Sequence, residues 1–170
     1  VCMRYSIVQG PRNSFYNAYS GICRLFTMRV LHDHSPVCYE DGKQLRDYVH
    51  VSDVAAANLL AFESAPAEFC SFNVGGQQPT SVLDYAHAVI RIANKDLEPK
   101  VSGDYRFGDT RHTFSSSAAL GQLGWKPQLP LETIISSYIE WARDQPNLGD
   151  FYGDSERKMR QANVIRRTQS

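Results

Sequence analysis

None of the glycine-rich phosphate loops occurs in this 170-residue chain: no Gly-x-Gly-x-x-Gly, no Gly-x-x-Gly-x-x-Gly and no Gly-x-x-x-x-Gly-Lys-Ser/Thr. Without such a loop, the usual cradle for a dinucleotide pyrophosphate at a helix N-terminus is missing from these residues. There is no excess of charge of either sign, since 18 Lys and Arg face 18 Asp and Glu. That balance argues against nucleic acid or an anionic membrane surface as partner. No apolar run approaches the roughly 20 residues that span a bilayer, and no signal-peptide pattern stands at the start. The expected setting is therefore cytoplasmic. The four cysteines, Cys2, Cys23, Cys38 and Cys70, form no Cys-x-x-Cys pair. They read as buried thiols in a reducing compartment, most simply as core residues. His32, His34, His50, His87 and His112 show no metal-binding spacing, so no metal site is expected. Internal repeats and low-complexity segments are absent as well.

What is present suits one globular domain. Hydrophobic residues make up 42% of the chain and aromatics 11%, enough to bury a core. Val1–Val8 is already strand-like, which gives the chain the look of a truncated protein or of the second half of something larger. Gly10-Pro11 ends that strand. Apolar spacing over Tyr19–Asp33, with Ser20 available as N-cap, predicts a helix. Pro36–Tyr39 and Asp47–Val51 read as short strands of a hairpin-like pair around the turn Glu40-Asp41-Gly42. Ser52 or Asp53 is expected to cap a helix to about Glu63, and Phe69–Val74 reads as a strand. Thr80 or Ser81 caps a helix over Val82–Asn94, with Leu83, Ala86, Val89, Ile90 and Ala93 on one stripe. The serines Ser115–Ser117 open a short helix. The last clear helix covers 131–143 with Ile134, Ile135, Tyr138 and Trp141 inward, and a polar, part-helical tail follows over 145–170. Strands alternating with helices predict an α/β fold with short parallel strands and four to five helices.

Three segments carry candidate chemistry. Tyr39 and Lys43 have the Tyr-x-x-x-Lys spacing of a dehydrogenase pair, but Asp41-Gly42 makes a turn between them and breaks the helix that the pair requires. No catalytic residue is assigned on that match. In Gln44–Val54, Arg46 beside Tyr48 offers a planar charged fork for a phosphate, or else an ion pair with Asp47. Both alternatives remain open from these residues. The run Arg106-Phe107-Gly108-Asp109-Thr110-Arg111-His112 concentrates two guanidiniums, a carboxylate and an imidazole, and reads equally as a binding loop or a solvated one.

Taken in order, Arg4-Tyr5, Gly10-Pro11-Arg12, Tyr19-Ser20-Gly21, Tyr39–Val54 with Ala57–Leu60, Phe72–Gly75, Gly108–His112 and Leu123–Pro127 closely resemble the C-terminal half of the NAD-dependent nucleotide-sugar epimerases and dehydratases. These form the extended short-chain dehydrogenase/reductase family, with UDP-glucose 4-epimerase and dTDP-glucose 4,6-dehydratase as well-known members. The resemblance implies an extended Rossmann-type fold in which residues 1–144 are the nucleotide-sugar-binding portion. It implies NAD as cofactor of the complete enzyme, held by an N-terminal Rossmann half that this chain lacks, along with the catalytic Tyr-x-x-x-Lys. It further implies that Arg46 holds the diphosphate and Tyr39 lies near the base. Asn73 would bond in the same pocket, and Arg106, Asp109 and Arg111 would close on phosphates and ribose. The expected partners are a nucleoside diphosphate sugar and either the missing Rossmann half or a second copy of the chain. Ile7 and Gln9 depart from the Asn and Tyr of many relatives, and Ser115–Ser117 stand where relatives have a capping Asp. The chain alone is expected to be inactive in hydride transfer. The alternatives are a non-catalytic nucleotide-diphosphate-sugar binding module, or a self-associating fragment whose strand at 1–8 forms an open edge.

Overall fold

The computed structural model describes residues 1–14, 21–146 and 148–167. Tyr19 and Ser20, the latter the expected cap of the first helix, lie outside them. The elements run β1 Cys2–Tyr5, β2 Ile7–Gln9, α1 Ile22–Leu31, β3 Val37–Cys38, β4 Leu45–Arg46, β5 Tyr48–His50, α2 Val51–Glu63, a 3-10 turn Ala65–Ala67, β6 Ser71–Val74 and β7 Thr80–Ser81. They continue as α3 Val82–Ala93, β8 Lys100–Val101, β9 Asp104–Arg106, α4 Ala118–Gly121, α5 Leu131–Arg143, α6 Tyr152–Gln161 and β10 Ile165–Arg167. This is the expected α/β class. Six α-helices occur among the described residues, one more than the five segments that periodicity marks, because the tail contributes α6. No helix among them is long and apolar enough to cross a membrane.

Five strand pairs organise the described residues. Three are parallel, β1 with β6, β2 with β5 and β3 with β8; two are antiparallel, β4 with β7 and β9 with β10. The hairpin expected around Glu40–Gly42 does not form. Its turn is present, with Gly42 N–H donating to the Tyr39 carbonyl at 3.1 Å, but its arms diverge to β8 and β2. Each arm finds a better-matched parallel neighbour, so the turn serves as a corner between layers.

The first two parallel pairs are one continuous path that changes partner at Ser6. Ser6 N–H still bonds to the Val74 carbonyl at 2.8 Å, whereas Ile7 N–H bonds to Asp47 at 3.0 Å. Ser6 Oγ donates to Asp47 Oδ2 at 2.8 Å and also meets Ser115 Oγ at 3.0 Å. Gly75 and Gly76 end β6 against this crossing. A Cβ on Gly75 would overlap the Asp47 carboxylate, and one on Gly76 the Tyr48 carbonyl. Only a residue without a side chain lets the two layers approach this closely.

Two apolar clusters flank the crossing. The larger joins α1, α3 and α5, where Phe26, Tyr85, Val89, Ile134, Ile135 and Tyr138 are buried. Each such side chain contributes about 2 kcal/mol of burial relative to exposure. Gln9 belongs here: it is 2% exposed and its Oε1 accepts the Tyr85 hydroxyl at 2.6 Å. The smaller cluster lies under α2 and β6, with Val49, Val54, Ala57, Phe72, Val74 and Trp125. Asp53 fastens it, its Oδ2 accepting the N–H groups of Gln128 and Leu129 at 3.2 and 3.1 Å while its carbonyl accepts Trp125 Nε1.

Local capping departs from expectation at α2. The cap is His50, not Ser52 or Asp53, and its Nδ1 accepts Ser52 N–H at 3.1 Å while Nε2 faces Ser137 Oγ at 3.2 Å. At α3, Ser81 caps as expected, accepting Asp84 N–H at 3.0 Å. The cysteines divide. Cys23 and Cys38 are buried, which pushes their thiols up to about 12 and about 11, but Cys2 and Cys70 are exposed, contrary to the reading of all four as core residues. The termini of the β1·β6 pair leave those two at the surface.

Two outcomes follow. Gly76→Ala should lower unfolding stability by about 3 kcal/mol in denaturant titration, because the intruding Cβ meets backbone rather than a movable side chain. The second concerns His50. Burial lowers its pKa below the usual 6.5, with Asp53 acting in the opposite sense. The unfolded chain then takes up a proton at pH values where the folded site does not, so stability falls as pH falls through the interval just below 6.5. His50→Asn keeps a capping acceptor without the titration. Its melting temperature should therefore decline less steeply than the parent's between about pH 7.5 and about pH 5; parallel curves would remove His50 from this role.

Candidate functional site

A cavity of about 410 Å³ opens between α1, the β3–β4 corner, the loop after β9 and the inner face of α6. Its lining combines two kinds of residue. Ile22, Leu25, Phe26, Val37 and Met159, with the rings of Tyr39 and Tyr152, supply its apolar surface. Arg46, Arg106, Asp109, Thr110 and Thr113 supply polar groups. No local pattern unites these segments, because the lining runs from Ile7 to Met159.

Arg46 is held by the loop that it in turn holds. Its Nη1 donates to the Leu45 and Arg111 carbonyls at 2.8 and 3.0 Å, and its Nη2 to the Thr110 carbonyl at 2.9 Å. Thr113 N–H returns a bond to the Leu45 carbonyl at 2.9 Å, and Leu45 N–H donates to His112 Nδ1 at 3.2 Å. A guanidinium has five N–H donors. Three are committed to carbonyls, which leaves Nε–H and one Nη2–H, the side-on fork that suits a phosphate oxygen pair. The expected ion pair with Asp47 does not occur: Asp47 is buried, and its carboxylate serves the Ser6 crossing.

Arg106 lies across the cavity on β9. Its Nε is buried with no hydrogen-bond partner among the described residues, and Asp109 Oδ2 is 3.8 Å away. A buried guanidinium N–H without an acceptor is costly, and an anion in the cavity would satisfy it. Tyr39 also lines the cavity, and burial raises the pKa of its phenol; the Tyr152 hydroxyl beside it acts the other way. Burial likewise pushes Tyr152 and Tyr48 well up. All three stay protonated at neutral pH.

Two expected site residues fall elsewhere. Arg111 turns away from the cavity and pairs with Glu40 Oε2 at 2.6 Å and with both oxygens of Asp41 at 2.7 and 2.8 Å. The bonds from Arg111 hold the Asp41 carboxyl well below the usual range. Its role is to strap the 106–113 loop to the Glu40–Gly42 turn. Asn73 lies on β6 outside the cavity, its Nδ2 donating to the Ser116 carbonyl at 3.3 Å. Ser117 Oγ accepts Gly75 N–H at 3.0 Å, so Asn73 and the serine cluster both support the strand crossing. Tyr39, Arg46, Arg106 and Asp109 are thus brought together, and Arg111 and Asn73 are not. The residues that sequence reasoning missed, Tyr152 and Met159, come from the polar tail, where a seven-residue spacing on one helix face was the available signal. No group of three or more potential metal ligands occurs among the described residues.

Residues 1–75 match the model of the NAD dependent epimerase/dehydratase family. The chain is 38% identical over 140 residues to dTDP-L-rhamnose 4-epimerase of Burkholderia thailandensis, covering 82% of this chain and 38% of that protein. Among solved structures it is similar to UDP-glucose 4-epimerase of Thermotoga maritima with UDP-glucose, at 34% identity and a TM-score of 0.76 over 83% of this chain and 45% of that one. It is also similar to UDP-glucose 4-epimerase of Thermus thermophilus in complex with NAD, at 28% identity and a TM-score of 0.73 over 85% and 46%. The chain therefore spans less than half the length of these relatives. In the matched segment and in fold, the chain is similar to the NAD dependent epimerase/dehydratase family.

Proposed function

We propose that this chain binds a nucleoside diphosphate sugar, as the substrate-binding part of an NAD-dependent 4-epimerase or 4,6-dehydratase. The observation that carries the reading is the pair of guanidiniums on one cavity. The side-on fork of Arg46 and the Nε of Arg106, which makes no hydrogen bond and has the Asp109 carboxylate at 3.8 Å, are the groups offered to a ligand of two or more negative charges. Arg46 is fixed in place before any ligand arrives, so little ordering cost falls on binding. Asp109 supplies an acceptor suited to a ribose hydroxyl, and the apolar region beyond accepts a planar base. The sugar specified by the relatives' names, glucose or rhamnose, supports the substrate class and no single hexose.

NAD does not fit the described residues in the usual way. Gly75 and Gly76 are consumed by the approach of β6 to Asp47 and Tyr48, and no glycine-rich turn opens a helix. Tyr39 and Lys43 are separated by a turn, so they do not form a helical acid–base pair. In this reading the hydride chemistry is supplied by residues outside these 170, while Arg46, Arg106 and Asp109 bind and orient the nucleotide.

Isothermal titration of the chain with UDP and dTDP tests the proposal. Binding should weaken by about tenfold or more in Arg46→Ala, since that substitution removes both the fork and the anchor of the loop. Arg111→Ala should leave the affinity within about threefold, because its partners are carboxylates of the turn. An Arg46→Ala variant that binds as tightly as the parent would sink the reading.

A further inference from the structure

Leu45, the residue before Arg46, is bonded through both of its backbone groups to the loop after β9. Its carbonyl accepts Thr113 N–H at 2.9 Å, and its N–H donates to His112 Nδ1 at 3.2 Å. One edge of β4 pairs with β7, and the loop docks along the other, with Thr113 bridged to Arg46. The Arg111 carbonyl, one residue before His112, is taken by Arg46 Nη1 at 3.0 Å. The imidazole therefore supplies the acceptor for Leu45 that the loop backbone gives to the guanidinium instead.

A ring nitrogen accepts an N–H only while it carries no proton. The bond to Leu45 exists in neutral His112 and is lost in the imidazolium, where both nitrogens donate. The charged groups on the elements around the ring are Arg46 of β4, Glu40, Asp41 and Lys43 of the turn before it, and Arg106, Asp109 and Arg111 of its own segment; β7 carries none. Arg111 occupies Glu40 and Asp41, and Asp109 lies 3.8 Å from Arg106. No carboxylate among the described residues pairs with the ring, so protonation sets one N–H against another and gains no partner.

We infer that His112 is a positioning residue for the diphosphate site, its neutral imidazole fastening the 106–113 loop to β4 so that the Thr110 and Arg111 carbonyls hold the Arg46 fork in place. The inference rests on the nucleoside diphosphate reading and deepens it. His112 does not line the cavity, so it acts through Leu45 and the loop. The Arg111 strap ties the loop to the turn, whereas the His112 bond ties it to the strand that carries Arg46. When that bond breaks, the carbonyls around the guanidinium loosen and a ligand must order them on binding. The competent site is the one with fewer protons, so affinity falls as pH falls. An imidazolium touching the diphosphate directly would give the opposite sign.

The test is calorimetric titration of the full chain with UDP-glucose between about pH 8 and about pH 5.5, the interval in which histidine exchanges its proton. UDP-glucose is the probe because its diphosphate, esterified at both ends, takes up no proton there. The parent's Kd should rise about fivefold over this interval, the worth of one hydrogen bond. His112→Asn, whose amide oxygen accepts at any pH, should hold the parent's high-pH affinity throughout. His112→Ala should bind about fivefold more weakly at every pH. His50 titrates in parent and variants alike, so the difference between the profiles belongs to His112. Far-UV circular dichroism checks that each variant folds. A second readout needs no ligand: the Leu45 amide resonance of the parent should move with pH over the same interval and stay in place in His112→Asn. A slope that persists in His112→Asn, affinity that rises as pH falls, or a parent Leu45 resonance indifferent to pH overturns this inference alone. Absence of UDP-glucose binding at any pH, or binding indifferent to Arg46→Ala, overturns the nucleotide reading and this one with it.

Discussion

The structure turns on the change of partner at Ser6. One extended chain segment serves two parallel pairs because its hydrogen bonds pass from Val74 to Asp47 within a single residue. That transfer demands that β6 and the β4–β5 segment come closer than side chains allow, which is why two consecutive glycines end β6. It also buries a carboxylate. Asp47 is tolerated there because Ser6 donates to it, and Ser6, Asn73, Ser115 and Ser117 form a polar seam through an otherwise apolar region. Both apolar clusters take their positions from this seam. The larger holds α1 against α3 and α5, and the smaller holds α2 over β6.

The cavity inherits its geometry from the crossing. β5 fixes Tyr48, and the residues just before it fix Arg46, so this cation of the cavity lining is tied to the most constrained part of the chain. Carbonyls rather than carboxylates surround that cation. A carboxylate partner would neutralise it and compete with an anionic ligand, whereas carbonyl dipoles orient the guanidinium and leave its charge uncompensated. Arg111 shows the opposite solution a few residues away: paired with Glu40 and Asp41, it is spent on structure. Two arginines in one short loop therefore have different uses, and the difference lies in what each finds to bond with.

Much of this was legible beforehand. Apolar spacing of 3.6 residues placed α3 and α5 and most of their inward faces, and Ser81 as a cap follows from its position before that run. The order of short motifs indicated the family and the fold. Arg46 and Arg106 were legible as candidates because residue type and local sequence limit what a permanently charged fork can do. Other features were not legible. The hairpin around Glu40–Gly42 satisfied local turn chemistry yet lost to two parallel pairings, which no local rule weighs. His50 displaced Ser52 as cap because burial against Ser137 favours a ring at that point. Asn73 and Arg111 had the right chemistry for a nucleotide site but lie on the wrong side of their strand and loop.

By itself, the sequence marked α1, α2, α3 and α5, the strand segments that hold β1, β3, β5 and β6, and the lack of a glycine-rich phosphate loop, because these depend on residue type and short-range periodicity. Only the tertiary structure decided which arginines line a cavity, that the serine cluster is a seam, and that the polar tail returns to line the same cavity through Tyr152 and Met159. Those outcomes depend on which distant backbone groups pair, as β10 does with β9 across some sixty residues of chain. The energy that settles such pairing is spread over many contacts, and no single stretch of sequence contains it.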